Sequence, residues 1–166
     1  LVSDTTLSSL IHVFTIKLLK YNAYEASANA IADIAKFKPE LISDTTLFSL
    51  ENILMTKDLK NDVYKAVAVA ISKIAGVMPE LAKDALASLE KTLTTGGLSS
   101  DVYEASAGAI SEIAKINPKL TKDALSFLEN ILIMEGLGSN VYKAAADAMV
   151  KIIVVSENMF EKFLKY

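Results

Sequence analysis

Apolar residues along this chain recur at intervals of three and four, and the pattern as a whole returns four times. Residues 62–75, DVYKAVAVAISKIA, come back at 101–114 as DVYEASAGAISEIA, and more loosely at 22–35 and 140–153. Advancing about 100° per residue puts Val63, Val67, Ala70, Ile71, Ile74 and Ala75 on one arc. Lys65, Val69, Ser72 and Lys73 fall on the other, which predicts an amphipathic helix with a broad apolar face.

Tyr24, Tyr64, Tyr103 and Tyr142 set the period at 40, 39 and 39 residues. A period of that length belongs to stacked helix pairs. The tyrosines sit at the edge of the apolar arc, so we expect them to pack, with the hydroxyl reaching water or backbone. An exposed aromatic ladder for peptides or bases is the alternative.

A first helix precedes each of these segments, marked by Leu47, Leu50, Ile53 and Leu54, by Leu86, Leu89 and Leu93, and by Leu125, Leu128, Ile131 and Leu132. Pro39, Pro79 and Pro118 stand at the junctions before these helices, where a first turn tolerates proline. The first two units hold one extra residue (Thr5-Thr6 and Thr45-Thr46, against Ala85 and Ala124), which predicts a broken first turn restarted by Ser43 or Asp44. The turns within the units read Lys57-Asp58-Leu59-Lys60, Thr95-Gly96-Gly97-Leu98 and Glu135-Gly136-Leu137-Gly138, glycine stopping the helix in the last two. Leu19, Leu59, Leu98 and Leu137 are expected to plug these loops onto the core. Asp101 with Glu104, and Asn22 with Glu25, have capping-box spacing.

Small residues recur at fixed places: Ala26, Ala66, Ala105 and Ala144, then Ala30, Ala70, Ala109 and Ala148. Small side chains allow neighbouring helices to approach toward the short end of the usual spacing of about 8–10 Å.

The run from Val63 to Ile71 resembles the second helix of a HEAT repeat, whose pattern is Val-Arg-x-Ala-Ala-Ala-x-Ala-Leu, and Asp62 and Asp101 match its caps. One departure matters. The family's arginine is tyrosine in all four copies, which puts in doubt the Asp–Arg ladder that often joins HEAT units. The resemblance implies an all-α fold, a right-handed α-α superhelix (solenoid) of about four HEAT-like helix pairs at 1–37, 38–77, 78–116 and 117–155. A short C-terminal closing helix at 157–166, folded back over Val154 and Val155, completes the expected domain; a truncated further repeat is the alternative. Residues 1–22 align on 41–62 without a gap, so the chain begins inside a first helix, as a fragment of a longer array would. The edge near Leu7, Leu10 and Phe14 would then be open, and self-association through the ends is expected.

Composition narrows the chemistry. Apolar residues make up 52% of 166 and mean hydropathy is +0.35, more than alanine content alone explains. Without cysteine there is neither a disulfide framework nor a thiolate ligand or nucleophile. No apolar run reaches the roughly 18–20 residues needed to span a bilayer. A cytoplasmic setting without membrane contact is the expectation. His12, the lone histidine, has Val13 and Phe14 beside it and no partner ligands, and no cofactor, metal or catalytic residue is expected. Acid pairs such as Glu51 with Asp58 read as ordinary exposed helix-end charges. A net charge of −3, lysines dispersed among acids and no arginine argue against nucleic acid. Gly96-Gly97 and Gly136-x-Gly138 lack the lysine-serine continuation of a phosphate loop.

The charges themselves are patterned. Two positions of the second helix alternate in sign from copy to copy: Glu25, Lys65, Glu104, Lys143, and Asp33, Lys73, Glu112, Lys151. Between them lie Asn29, Val69, Gly108 and Asp147, which vary. Two readings remain open. The stripes could be a self-neutralising network that fixes the register of the units, each pair contributing about 0–1 kcal/mol. Alternatively, these twelve residues form a ridge that recognises another protein or peptide of complementary charge. HEAT second helices usually line a concave face, so the expected role is a non-enzymatic protein-interaction scaffold. The competing roles are a regulatory or small-ligand-binding subunit of an enzyme complex, or a purely structural segment.

Overall fold

The computed structural model describes residues 3–16 and 19–164, with side chains described through residue 155. Among these residues the elements are helices and turns: α1 (Asp4–Val13), α2 (Tyr21–Phe37), α3 (Asp44–Leu54), α4 (Asn61–Val77), α5 (Ala82–Thr94), α6 (Ser100–Ile116), α7 (Thr121–Ile133) and α8 (Ser139–Leu164). The chain is all-α.

Proline sets the lengths. α2, α4 and α6 each contain 17 residues and stop just short of the residue that precedes Pro39, Pro79 or Pro118. A residue before proline is kept out of the α region. Lys38, Met78 and Asn117 accordingly leave it, at φ −142°, −126° and −119°. At the equivalent place in the last unit the chain has Glu157, which imposes no such stop. The separate closing helix expected at 157–166 is therefore not formed: α8 runs unbroken for 26 residues to Leu164. The last two positions of that expected segment, 165 and 166, lie outside the described residues.

The extra residue in the second unit has the anticipated effect. A 3-10 turn over Pro39–Leu41 is followed by extended Ile42 and Ser43, and Ser43 then caps α3, its backbone N–H donating to Thr46 Oγ1 at 3.3 Å. In the third and fourth units Leu81 and Leu120 keep right-handed helical angles and lead directly into α5 and α7. The anticipated caps at Asp62, Asp101 and Asn22 are not formed. Lys60, Ser99 and Lys20 hold the cap positions, so each of those residues sits inside the first turn. For the aspartates, the negative charge still favours the positive end of the helix.

Packing follows chain order. α2 lies against α4, α4 against α6, and α6 against α8, while each second helix also packs on the first helix of its own unit. Contacts among first helices are sparser, α3 with α5 and more thinly α5 with α7. One continuous core results, running from Leu7 through Leu50, Ile71 and Ile110 to Ile152. Ala66, Ala70, Ala109, Ala144 and Ala148 are buried where second helices meet, as the small-residue pattern predicts. Ser72, placed by periodicity on the polar arc, is instead buried between helices and returns its hydroxyl to Val69 O at 3.0 Å. A helix that faces a neighbour on both sides buries a wider arc than its periodicity suggests.

The four tyrosines do one thing. Their hydroxyls donate to the carbonyl eight residues earlier, Tyr24 to Ile16 (2.6 Å), Tyr64 to Thr56 (2.9 Å), Tyr103 to Thr95 (2.9 Å) and Tyr142 to Met134 (2.6 Å). Tyr64 and Tyr103 also accept from the N–H of Leu59 and Leu98. Each tyrosine thus clasps the turn between the two helices of its unit, satisfying carbonyls that a helix end leaves free. Burial, then the nearby charges of Asp58 and Asp101, push the Tyr64 hydroxyl above its usual value against the opposing Leu59 hydrogen bond. Leu19, Leu59, Leu98 and Leu137 pack against the core beneath these turns, as expected. The turn position held by Gly97 (φ +79°) and Gly136 (φ +85°) is filled in the second unit by Asp58 at φ +63°, a left-handed conformation that aspartate tolerates better than most residues.

Candidate partner-binding ridge

Regular helix spacing on a repeated sequence carries eight of the twelve candidate residues into one groove. Glu25, Asn29 and Asp33 stand exposed on α2, Lys65 and Val69 on α4, Glu104 and Glu112 on α6, and Lys143, Asp147 and Lys151 on α8. Lys73 and Gly108 are half-buried among them. A groove of about 700 Å³ crosses α4, α6 and α8, with Ala68, Ser72, Ala105 and Ser111 in its lining. Lys65, Val69, Glu104, Gly108, Glu112, Lys143, Asp147 and Lys151 are all found there. Tyr21 of α2 joins the lining, while the candidates Glu25, Asn29, Asp33 and Lys73 lie outside it. Asn29 and Asp33 share a smaller hollow of about 490 Å³ with Lys73, Val77 and Ile116.

The ridge charges do not pair across helices. Among the described residues no carboxylate of Glu25, Asp33, Glu104 or Glu112 lies within 4 Å of Lys65, Lys73, Lys143 or Lys151. Glu112 pairs within its own helix with Lys115 at 2.7 Å, and Lys73 donates to the Asn29 amide oxygen. Where the second helices meet, buried alanines make the contact and the Lys73–Asn29 hydrogen bond links α4 to α2.

Ion pairing does occur elsewhere, at a residue whose surroundings the sequence hid. Glu51, expected as an exposed helix-end charge, is buried between α3 and α5. Lys91 Nζ lies 2.6 Å from its Oε1 and Ser88 Oγ donates to its Oε2 at 3.0 Å. The spacing of Ser88 and Lys91, three apart on one face of α5, was the available signal. One unit on, Glu90 has Phe127 and Asn130 at the corresponding positions of α7. Burial, with a smaller contribution from Asp123, raises its pKa above the usual 4.5.

His12 is exposed, its Nδ1 3.1 Å from Thr15 Oγ1. Among the described residues no three His, Asp or Glu side chains gather as metal ligands, and no helix is long and apolar enough to cross a membrane. No protein-family model matches this sequence, and no curated protein matches it.

Proposed function

We propose that the chain is a non-catalytic, cytoplasmic protein-interaction scaffold, an open right-handed superhelix of HEAT-like helix pairs that receives an extended segment of another protein across its second helices. One observation supports this above the others: charges that alternate in sign from unit to unit border a common groove without pairing with one another across helices. Four stripes at roughly 10 Å make a face about 30–40 Å long, enough for the ~800 Å² that one partner contributes to a standard interface. The small side chains in the groove lining leave room for a backbone, and the stripes select its charge order, acidic opposite Lys65 and Lys143, basic opposite Glu104.

Capture from native lysate tests this. The wild-type chain is compared with a Lys65→Glu, Lys143→Glu variant, whose exposed positions leave the helices intact by circular dichroism. A protein held by the first and lost from the second is the expected result. Retention of the same proteins by both, or of none by the wild type, overturns the reading.

A further inference from the structure

The repeat permits a comparison that a single helix would not: the same position can be followed through flanks that are covered and flanks that are exposed among the described residues. On the flank facing the following unit, α2 carries Ala28, Ala32 and Ala35, α4 Ala68, Ser72 and Ala75, and α6 Ala107, Ser111 and Ala114, all buried by the next second helix. The corresponding residues of α8 are Ala146, Val150 and Ile153. Val150 is 60% exposed and Ile153 42%. The first-helix layer repeats the contrast, since Leu54 and Leu93 are fully buried while their counterpart Leu132 on α7 is 40% exposed. On the opposite flank, Val63, Ala66 and Ala70 of α4 are buried against α2, as Val141, Ala144 and Ala148 of α8 are against α6. Their counterparts on α2 are half-buried Ala23, exposed Ala26 and half-buried Ala30. Of the residues expected to mark an open edge, Leu7 and Phe14 are buried and Leu10 is half-buried; the exposed flank among the described residues lies on α2.

We infer that the α8 flank of one copy docks on the α2 flank of a second copy, repeating the helix contact that already occurs three times within the chain. The occupant is chosen by shape and charge together. At the three internal interfaces this flank carries alanine or serine and is covered by one with small residues at the positions of Ala26 and Ala30; Val150 and Ile153 are larger, and α2 offers Ala23 where the internal interfaces have Val63, Val102 and Val141. Charge sets the polarity. Joining α8 to α2 brings the Lys143 and Lys151 rows beside Glu25 and Asp33 and continues the alternation, whereas α8 on α8 sets lysine beside lysine and α2 on α2 sets acid beside acid. Like charges so placed disfavour both symmetric pairings. Head-to-tail contact uses two different surfaces, so it does not stop at a symmetric pair, and a contact that continues the chain's own helix-to-helix step grows by addition. The apolar flanks lie beside the ridge and share with it only the charged rows that set the polarity.

Sedimentation velocity from micromolar to millimolar protein reads the outcome. The wild-type chain is expected to rise steadily in mass with concentration. Val150→Glu with Ile153→Glu blocks one flank, and Ala26→Glu blocks the other; each alters exposed side chains, and circular dichroism verifies that the helices persist. Either variant alone stays monomeric at every concentration. Their mixture still has one open flank of each kind and gives a species of twice the monomer mass and no larger. A wild-type chain that remains monomeric, a wild-type mass that stops at two copies, or a mixture that fails to pair overturns the proposal.

Discussion

The two layers of this molecule hold together differently. Second helices meet along alanine-lined flanks, with no ion pair between them among the described residues, while first helices touch sparsely, and α3 and α5 are joined by the buried Glu51 with Lys91 and Ser88. Close apolar packing leaves no latitude in volume and little dependence on pH or salt. A sparse layer tolerates bulk and depends on a few polar atoms. Each layer should therefore be vulnerable to a different kind of substitution.

The largest contrast is in volume. Ala70 is fully buried between second helices, so Ala70→Leu should destabilise by about 1–3 kcal/mol through overpacking. Ala87, exposed on α5, should take leucine within about 0.5 kcal/mol. Thermal denaturation measures both, at roughly 2–4 °C per kcal/mol for a chain of this size. Equal shifts for the two substitutions would erase the distinction between the layers.

Next in size is the clasp that joins them. Tyr64→Phe removes one donated and one accepted hydrogen bond at a half-wet turn and should cost about 1–2 kcal/mol. Urea unfolding gives the number. In the sparse layer, Lys91→Ala leaves the Glu51 carboxylate buried with only Ser88, a loss of about 1 kcal/mol given how exposed the lysine is. That loss should shrink when Glu51→Gln is combined with it, and additivity of the two would deny the link.

Smallest is the effect of Glu90. Its folded pKa is raised, so its ionisation opposes folding: the favourable contribution is complete below the usual 4.5 and is lost as pH climbs through the raised folded value. Glu90→Gln should therefore match wild type in acid and gain a slight advantage in melting temperature as pH approaches neutrality. An advantage that is constant with pH would point away from titration at this site.

Much of the fold was legible because periodicity and proline are local signals. Spacing of leucines marked the first helices, Ser43 announced its own cap, and Tyr64 stood at the edge of its arc where a hydroxyl can reach backbone. What the sequence hid was set by neighbours. Ser72 looked polar and is buried because α4 is flanked on both sides; Glu51 looked exposed because its partners lie 37 and 40 residues away. The missing stop at Glu157 could have been read by aligning it on Pro118, and the smooth run of α8 follows. The period brought eight of the ridge candidates to one groove, while their lack of cross-helix ion pairs required side-chain distances.

Each tyrosine clasp closes a loop of only eight residues. Such short closures cost little chain entropy, and topologies built from near-neighbour contacts fold quickly. A unit can thus set its own hairpin before any neighbour arrives, and assembly along the chain becomes a matter of adding finished pieces, with hydrogen exchange slowest in α4 and α6, which have a companion on either side.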